Sequence, residues 1–174
     1  MKEIHTKRLF IRKFQKDDWK DLYEYLSDEK VVQFEPYGIM SESDCKKEAM
    51  ERSNNDVFWA ICLKDNMKLI GNLYFCKMEF DTYELGYVFN RSYQGLGYAS
   101  ESCKALFDHA FHNLKARRII ARCNVLNISS WKLLERLHVR REAHYIQKRY
   151  FKFDDKNNPI WIDAYQYAIL AEEW

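Results

Sequence analysis

Gln94-Gly95-Leu96-Gly97-Tyr98-Ala99 is the stretch that decides how this chain folds. Residues 83–89 before it alternate and are rich in aromatic and branched side chains, which reads as a strand. After it, Ala99, Cys103, Leu106, Phe107, Ala110 and Phe111 recur at helical spacing and draw one apolar face. The six residues therefore join a strand to a helix. Glycine at Gly95 and Gly97 removes Cβ atoms that would hold an anion away from the backbone. The unpaired amides and positive dipole end of the following helix add to the pull, so the loop suits a pyrophosphate. The same glycines equally serve a tight turn with no ligand. A dinucleotide fingerprint fails because position 100 is Ser100, and no Gly-Lys-Ser/Thr follows to make a P-loop.

Working outward, residues 9–14 read as a first strand, followed by a helix capped by Asp17 and Asp18 that carries Trp19, Leu22, Tyr23 and Leu26. Ser41, with Asp44 three residues on, opens a polar helix through Met50. Residues 57–63 and 68–75 flank Lys64-Asp65-Asn66-Met67 as a hairpin, and residues 83–89 add antiparallel to it. Residues 118–123 form a strand and 127–137 a helix with Trp131, Leu134 and Leu137 on one face. Strand, helix, strand implies a right-handed crossover and a parallel pair. Strands over residues 139–151 and 161–170 close the chain around Asp154-Asp155-Lys156-Asn157-Asn158-Pro159. The expected fold is α/β, a mixed and mostly antiparallel sheet with helices on both faces. Two prolines and five glycines, with no linker or repeat, make residues 1–174 a single domain.

Composition narrows the function. Lysine plus arginine (28) nearly balances aspartate plus glutamate (26), so neither nucleic acid nor a charged membrane surface is expected as a partner. The N-terminal residues lack a signal peptide's apolar region and no apolar run is long enough to span a bilayer, which predicts a cytoplasmic protein. Cys45, Cys62, Cys76, Cys103 and Cys123 are odd in number and scattered, which predicts buried thiols and no metal site.

The loop resembles the Gln/Arg-x-x-Gly-x-Gly/Ala signature of the GNAT superfamily of N-acetyltransferases. Thr6-Lys7-Arg8-Leu9-Phe10-Ile11-Arg12, Glu84-Leu85-Gly86-Tyr87, Asn127-Ile128-Ser129-Ser130 with Leu133-Leu134-Glu135, and Tyr167-Ala168-Ile169-Leu170 with Glu173-Trp174 resemble its ribosomal-protein N-terminal acetyltransferase branch. The resemblance implies a sheet splayed between its fourth and fifth strands, here residues 83–89 and 118–123. The pantetheine arm of acetyl-coenzyme A would lie in that gap. Backbone groups of Tyr87, Val88 and Phe89 would pair with the pantetheine amides. The loop residues Gln94, Gly95, Leu96, Gly97, Tyr98 and Ala99 would hold the pyrophosphate, and Asn127 would reach the cofactor arm.

By the same resemblance, an amine attacks the thioester directly, and a backbone N–H near Val88 stabilises the oxyanion. Glu84 is the expected general base, acting through water, with a solvated ion-pair role as its alternative. Ser130 is the expected acid for the leaving thiolate, with helix capping beside Asn127 as its alternative. The chain departs from the family where a tyrosine acid is replaced by Leu134, and where His138-Val139 replaces Gly-Phe. The expected acceptor is a protein or peptide N-terminal amine. A polyamine or aminoglycoside, bound by Glu35, Asp44, Glu48, Asp81 and Glu84, is the alternative, as is a non-catalytic acyl-coenzyme-A-binding module. Acceptor specificity is expected from residues 31–50 and 145–160. Phe34, Tyr37, Tyr150, Phe151 and Trp161 there serve equally as core, homodimer contacts or substrate walls.

Overall fold

The structure is a computed structural model that describes residues 3–174. In chain order it runs β1 (Ile4–His5), β2 (Leu9–Lys13), α1 (Trp19–Leu26), α2 (Glu29–Val32), α3 (Glu42–Ser53), β3 (Phe58–Leu63), β4 (Leu69–Lys77) and β5 (Thr82–Phe89). There follow α4 (Tyr98–His112), β6 (Arg118–Asn124), α5 (Ile128–Arg136), β7 (Arg140–Phe153) and β8 (Pro159–Leu170). The strands form a single sheet in the order β1-β2-β3-β4-β5-β6-β8-β7. Every pairing is antiparallel except β5 with β6, the pair that the α4 crossover joins.

Each face of the sheet has its own core. On one, α4 lays down Cys103, Leu106, Phe107 and Ala110, all fully buried, and α5 adds Leu133 and Leu134 against Ile119, Ala121 and Tyr167. On the other, Leu22, Tyr25 and Leu26 of α1 and Cys45 and Ala49 of α3 cover Ala60, Cys62, Leu69 and Val88. Burying a large apolar side chain contributes about 1.5–3 kcal/mol. Gly95 and Gly97 precede α4 at positive φ, where glycine avoids the strain of a Cβ, so they do not weaken the helix that this stripe anchors.

The expected elements are present with shifted bounds, and several details differ. The strand β1 and the helix α2 were not anticipated, being two and four residues long. Asp18 does not cap α1 with its side chain. It accepts from both terminal nitrogens of Arg12, at 2.8 and 2.7 Å, and from the Gln15 amide, at 2.7 Å. Tyr25, not Tyr23, faces the core: Tyr25 is fully buried and Tyr23 is exposed. Ser41 and Asp44 do form the capping box, and α3 continues past Met50 to Ser53. His138 takes the left-handed conformation that the missing glycine would have supplied, at φ 60°. Around it Val139 N–H donates to Leu134 O and His138 N–H to Glu135 O, a Schellman stop for α5.

Four cysteines are buried and Cys76 is half-buried, and all five are free thiols. Burial pushes the Cys103 thiol up to about 12, as befits a small packing residue. Among the described residues no helix is long and apolar enough to cross a membrane. No group of three or more His, Cys, Asp or Glu side chains among them stands ready to hold a metal ion.

Candidate active site

β5 is paired along its whole length on one edge and only half its length on the other. Against β4 the register runs from Lys77↔Tyr83 to Gly71↔Phe89. Against β6 it runs from Thr82↔Arg118 only to Leu85↔Ala121. Beyond that point β6 stays with β8 as far as Asn124↔Ala164. Residues 86–89 therefore turn an unpaired edge toward a wedge. Unpaired backbone polar groups need a partner, and an extended chain carrying amides would supply one.

The wedge opens into a cleft of about 860 Å³, within the range of small-molecule sites. Tyr87, Val88 and Phe89 line it from β5, and Asn127, Ser129 and Ser130 from the start of α5. Gln94, Gly95, Gly97, Tyr98, Ala99 and Ser100 line its far end. Leu96, grouped with them from the sequence, is not part of the wall: its side chain is exposed and only its carbonyl is engaged.

Both loop glycines have positive φ, 74° at Gly95 and 83° at Gly97. Gly97 is also the N-cap residue of α4, and no side chain caps that helix. The first intrahelical bond runs from Glu101 N–H to Gly97 O, which leaves the amides of Tyr98, Ala99 and Ser100 without a helical partner. Gln94 ties the loop back to β5, its side-chain amide donating to Phe89 O at 3.0 Å.

A second brace comes from the N-terminal segment. Arg8 donates through Nη1 to Leu96 O at 2.9 Å and through Nε to Glu101 Oε2 at 2.6 Å, while its guanidinium lies 4.3 Å from the Tyr98 ring centroid. The Arg8 amide and the Thr6 hydroxyl both donate to Glu101 Oε1, at 2.8 and 2.6 Å. Thr6 and Arg8 thus tie loop and helix start together, a task that sequence reading did not assign them. Nothing local signals it, because the partners lie up to 95 residues apart.

The start of α5 is built differently. Asn127 Oδ1 accepts from Ser130 N–H at 3.2 Å, so Asn127 is the cap and the Ser130 hydroxyl is not. That hydroxyl lies 2.9 Å from Tyr87 Oη, and Tyr87 also donates to Ser130 O at 3.0 Å. Burial raises the Tyr87 phenol well above its ordinary value, with the Ser130 contact working the other way, so the phenol keeps its proton. Tyr87 had been assigned only a backbone role. Strand alternation was the available signal, since it turns Tyr87 away from Glu84 and toward α5. Leu134, where a tyrosine acid was missing, is packed in the core.

Glu84 is not among the cleft's walls. It pairs with Arg122 at 2.8 Å in the part of β5 that is bonded on both edges, and both side chains are about a quarter exposed. A different carboxylate, Glu35, lines the cleft from the segment after α2. Lys30, Lys132 and Arg136 stand on the cleft's walls as well and give it cations suited to phosphate groups.

Comparison with known proteins bears on this geometry. The profile of the acetyltransferase (GNAT) domain family matches residues 8–140. An uncharacterized N-acetyltransferase of Bacillus subtilis (strain 168), YnaD, is 39% identical over 173 residues, covering 98% of each chain. A GNAT-family acetyltransferase structure from Bacillus anthracis superposes with a TM-score of 0.88 at 35% identity, over 99% of this chain and 100% of that one. Two more distant structures share the fold almost equally. Ribosomal-protein-S5-alanine acetyltransferase from Vibrio fischeri has a TM-score of 0.78 at 18% identity, over 100% of this chain and 99% of that one. Spermidine N-acetyltransferase from Vibrio cholerae, in complex with CoA and spermine, has 0.79 at 15%, over 97% and 98%.

Proposed function

The chain belongs to the GNAT family of acetyltransferases, which transfer acetyl from acetyl-coenzyme A to an amine, and from that premise we propose the roles of its residues and the nature of its acceptor. The observation that carries the reading is the unpaired edge of β5 ending at the uncapped start of α4. A pantetheine arm carries amides spaced to pair with residues 87–89, and the pyrophosphate then meets the amides of residues 98–100. Lys132 and Arg136 stand where further phosphate charge is attracted.

In the reaction, the amine nitrogen attacks the thioester carbon, and a backbone N–H near Val88, on the edge of β5 that faces away from β4, stabilises the oxyanion. The carbon–sulfur bond breaks, and the Ser130 hydroxyl, held 2.9 Å from the Tyr87 phenol, protonates the thiolate and regains a proton through water. The acceptor is the α-amine of a protein or peptide. Support comes from the motifs shared with the ribosomal-protein branch and from fold likeness to a ribosomal-protein acetyltransferase. The likeness to a spermidine acetyltransferase is as great, so a polyamine is the second reading. Thiol release from acetyl-coenzyme A against peptides, polyamines and aminoglycosides decides between them. Peptide turnover above polyamine turnover is expected. The reverse order overturns the peptide reading, and binding without turnover on any acceptor would mark a non-catalytic acyl-coenzyme-A-binding module.

A further inference from the structure

We propose that Glu35 takes the proton of the attacking amine and that the apolar body of that amine occupies the cavity on Glu35's other side. This inference rests on the acetyltransferase reading and deepens it. The residues Gln33, Phe34 and Glu35 line two spaces at once: the 860 Å³ cleft described above and a second cavity of about 460 Å³. That second cavity is walled mainly by Phe34, Phe151, Ile160, Trp161 and Ile162. Glu35 therefore stands at the doorway between the acetyl donor's cleft and an aromatic pocket.

Two carboxylates touch the second cavity, and Asp163 is already committed. It accepts from the Gln147 amide at 2.8 Å and lies 3.6 Å from His144 Nε2. Glu84, paired with Arg122, lines neither space. Glu35 is faced by Tyr37 of its own segment, Arg149 of β7 and Arg52 of α3. The Arg52 guanidinium is itself held by Glu48 at 2.7 Å and by the rings of Phe14 and Phe58. Burial raises the Glu35 carboxyl to about 7, with Arg149, Arg52 and the Tyr37 hydroxyl acting against that rise. A base of that strength is matched to an amine near neutral pH.

The protons balance. The ammonium gives one proton to the Glu35 carboxylate and becomes the nucleophile. Once the C–N bond has formed, the nitrogen's second proton passes through water to Ser130, which has given its own to the thiolate, and Glu35 releases the first proton to water. The apolar walls favour an amine attached to an aromatic or branched aliphatic group over a polyamine, whose several charges would lose hydration there. That group is either the first side chain of a peptide or the body of a small amine.

The test is kcat/KM against pH for wild-type, Glu35→Gln and Glu84→Gln proteins, each first titrated with acetyl-coenzyme A. The acceptors are peptides beginning with Phe, Leu or Ser, phenylethylamine and spermidine. Wild-type activity is expected to rise with pH through a limb near 7, which Glu35→Gln abolishes with about a hundredfold or greater loss of turnover and acetyl-coenzyme A affinity retained. Peptides beginning with Phe or Leu, or phenylethylamine, should exceed spermidine, and the better of these arms tells a peptide from a small amine. Trp161→Ala should raise KM for the apolar acceptors several-fold. Stability gives a second readout. With its folded pKa above its unfolded one, Glu35 stabilises the fold at low pH and ceases to as pH rises from about 4.5 to about 7. Glu35→Gln should therefore gain stability relative to wild type across that window. A limb that survives in Glu35→Gln and vanishes in Glu84→Gln overturns the inference, and spermidine as the best acceptor overturns the assignment of the cavity. Wild-type protein that fails to bind acetyl-coenzyme A overturns instead the reading on which the inference stands.

Discussion

The helices α4 and α5 both turn their N-terminal ends into one cleft, and they finish those ends in opposite ways. The start of α5 is closed by its own chain, with Asn127 accepting from Ser130 N–H. The start of α4 carries Gly97, which has no side chain to offer, and the residues that steady it, Arg8, Thr6 and Gln94, reach Leu96, Glu101 and Phe89 and leave the first amides alone. A helix end that the chain satisfies is a structural joint. One braced from outside and left unsatisfied at its centre is available to an anion.

The comparison can be broken most severely at Gly97. A Cβ there would meet only Arg8 Nη2, at 3.3 Å, but valine must sit at φ 83°, which a β-branched side chain strongly resists. Acetyl-coenzyme A affinity measured by calorimetry should fall about tenfold or more, with a near-wild-type circular dichroism spectrum. Unchanged affinity would reduce the loop to a turn. Next in size is Arg8→Ala, which frees Leu96 and Tyr98 together. Affinity should weaken by about 1 kcal/mol, roughly fivefold, since the loop must then be ordered by the ligand itself. The smallest effect on binding should come from Asn127→Ala. It should cost about 1 kcal/mol of folding stability, read from denaturant midpoints, and change affinity less than Arg8→Ala does. If Asn127→Ala weakened binding more than Arg8→Ala, the division of labour between the two ends would be wrong.

The two ends also differ in how far sequence could disclose them. Periodicity over residues 99–111 and the glycines before them are local, and so were read correctly, as was the box of Ser41 and Asp44. The splay of β5 from β6 followed from family resemblance, and the register places it beyond Leu85↔Ala121. At α5 capping beside Asn127 was the alternative role for Ser130, and the cap is Asn127, because hydroxyls and amides cap alike and spacing does not choose between them. Glu35 was named only as one of five carboxylates that could bind a cationic acceptor, and Arg8 only within a motif; their places escaped such reading for another reason. Placement of a half-buried carboxylate between two cavities, or a guanidinium reaching a loop 88 residues on, is set by tertiary packing and leaves no periodic trace. Glu84 shows the converse: its position on β5 was read correctly, while its partner Arg122 lies on the neighbouring strand.

The central claim is that the open edge of β5 and the uncapped start of α4 together form the seat of acetyl-coenzyme A. Calorimetric titration of acetyl-coenzyme A into the wild-type protein tests it most directly. A single saturable site, weakened by Gly97→Val, is the predicted result. Absence of heat at high micromolar protein would contradict it.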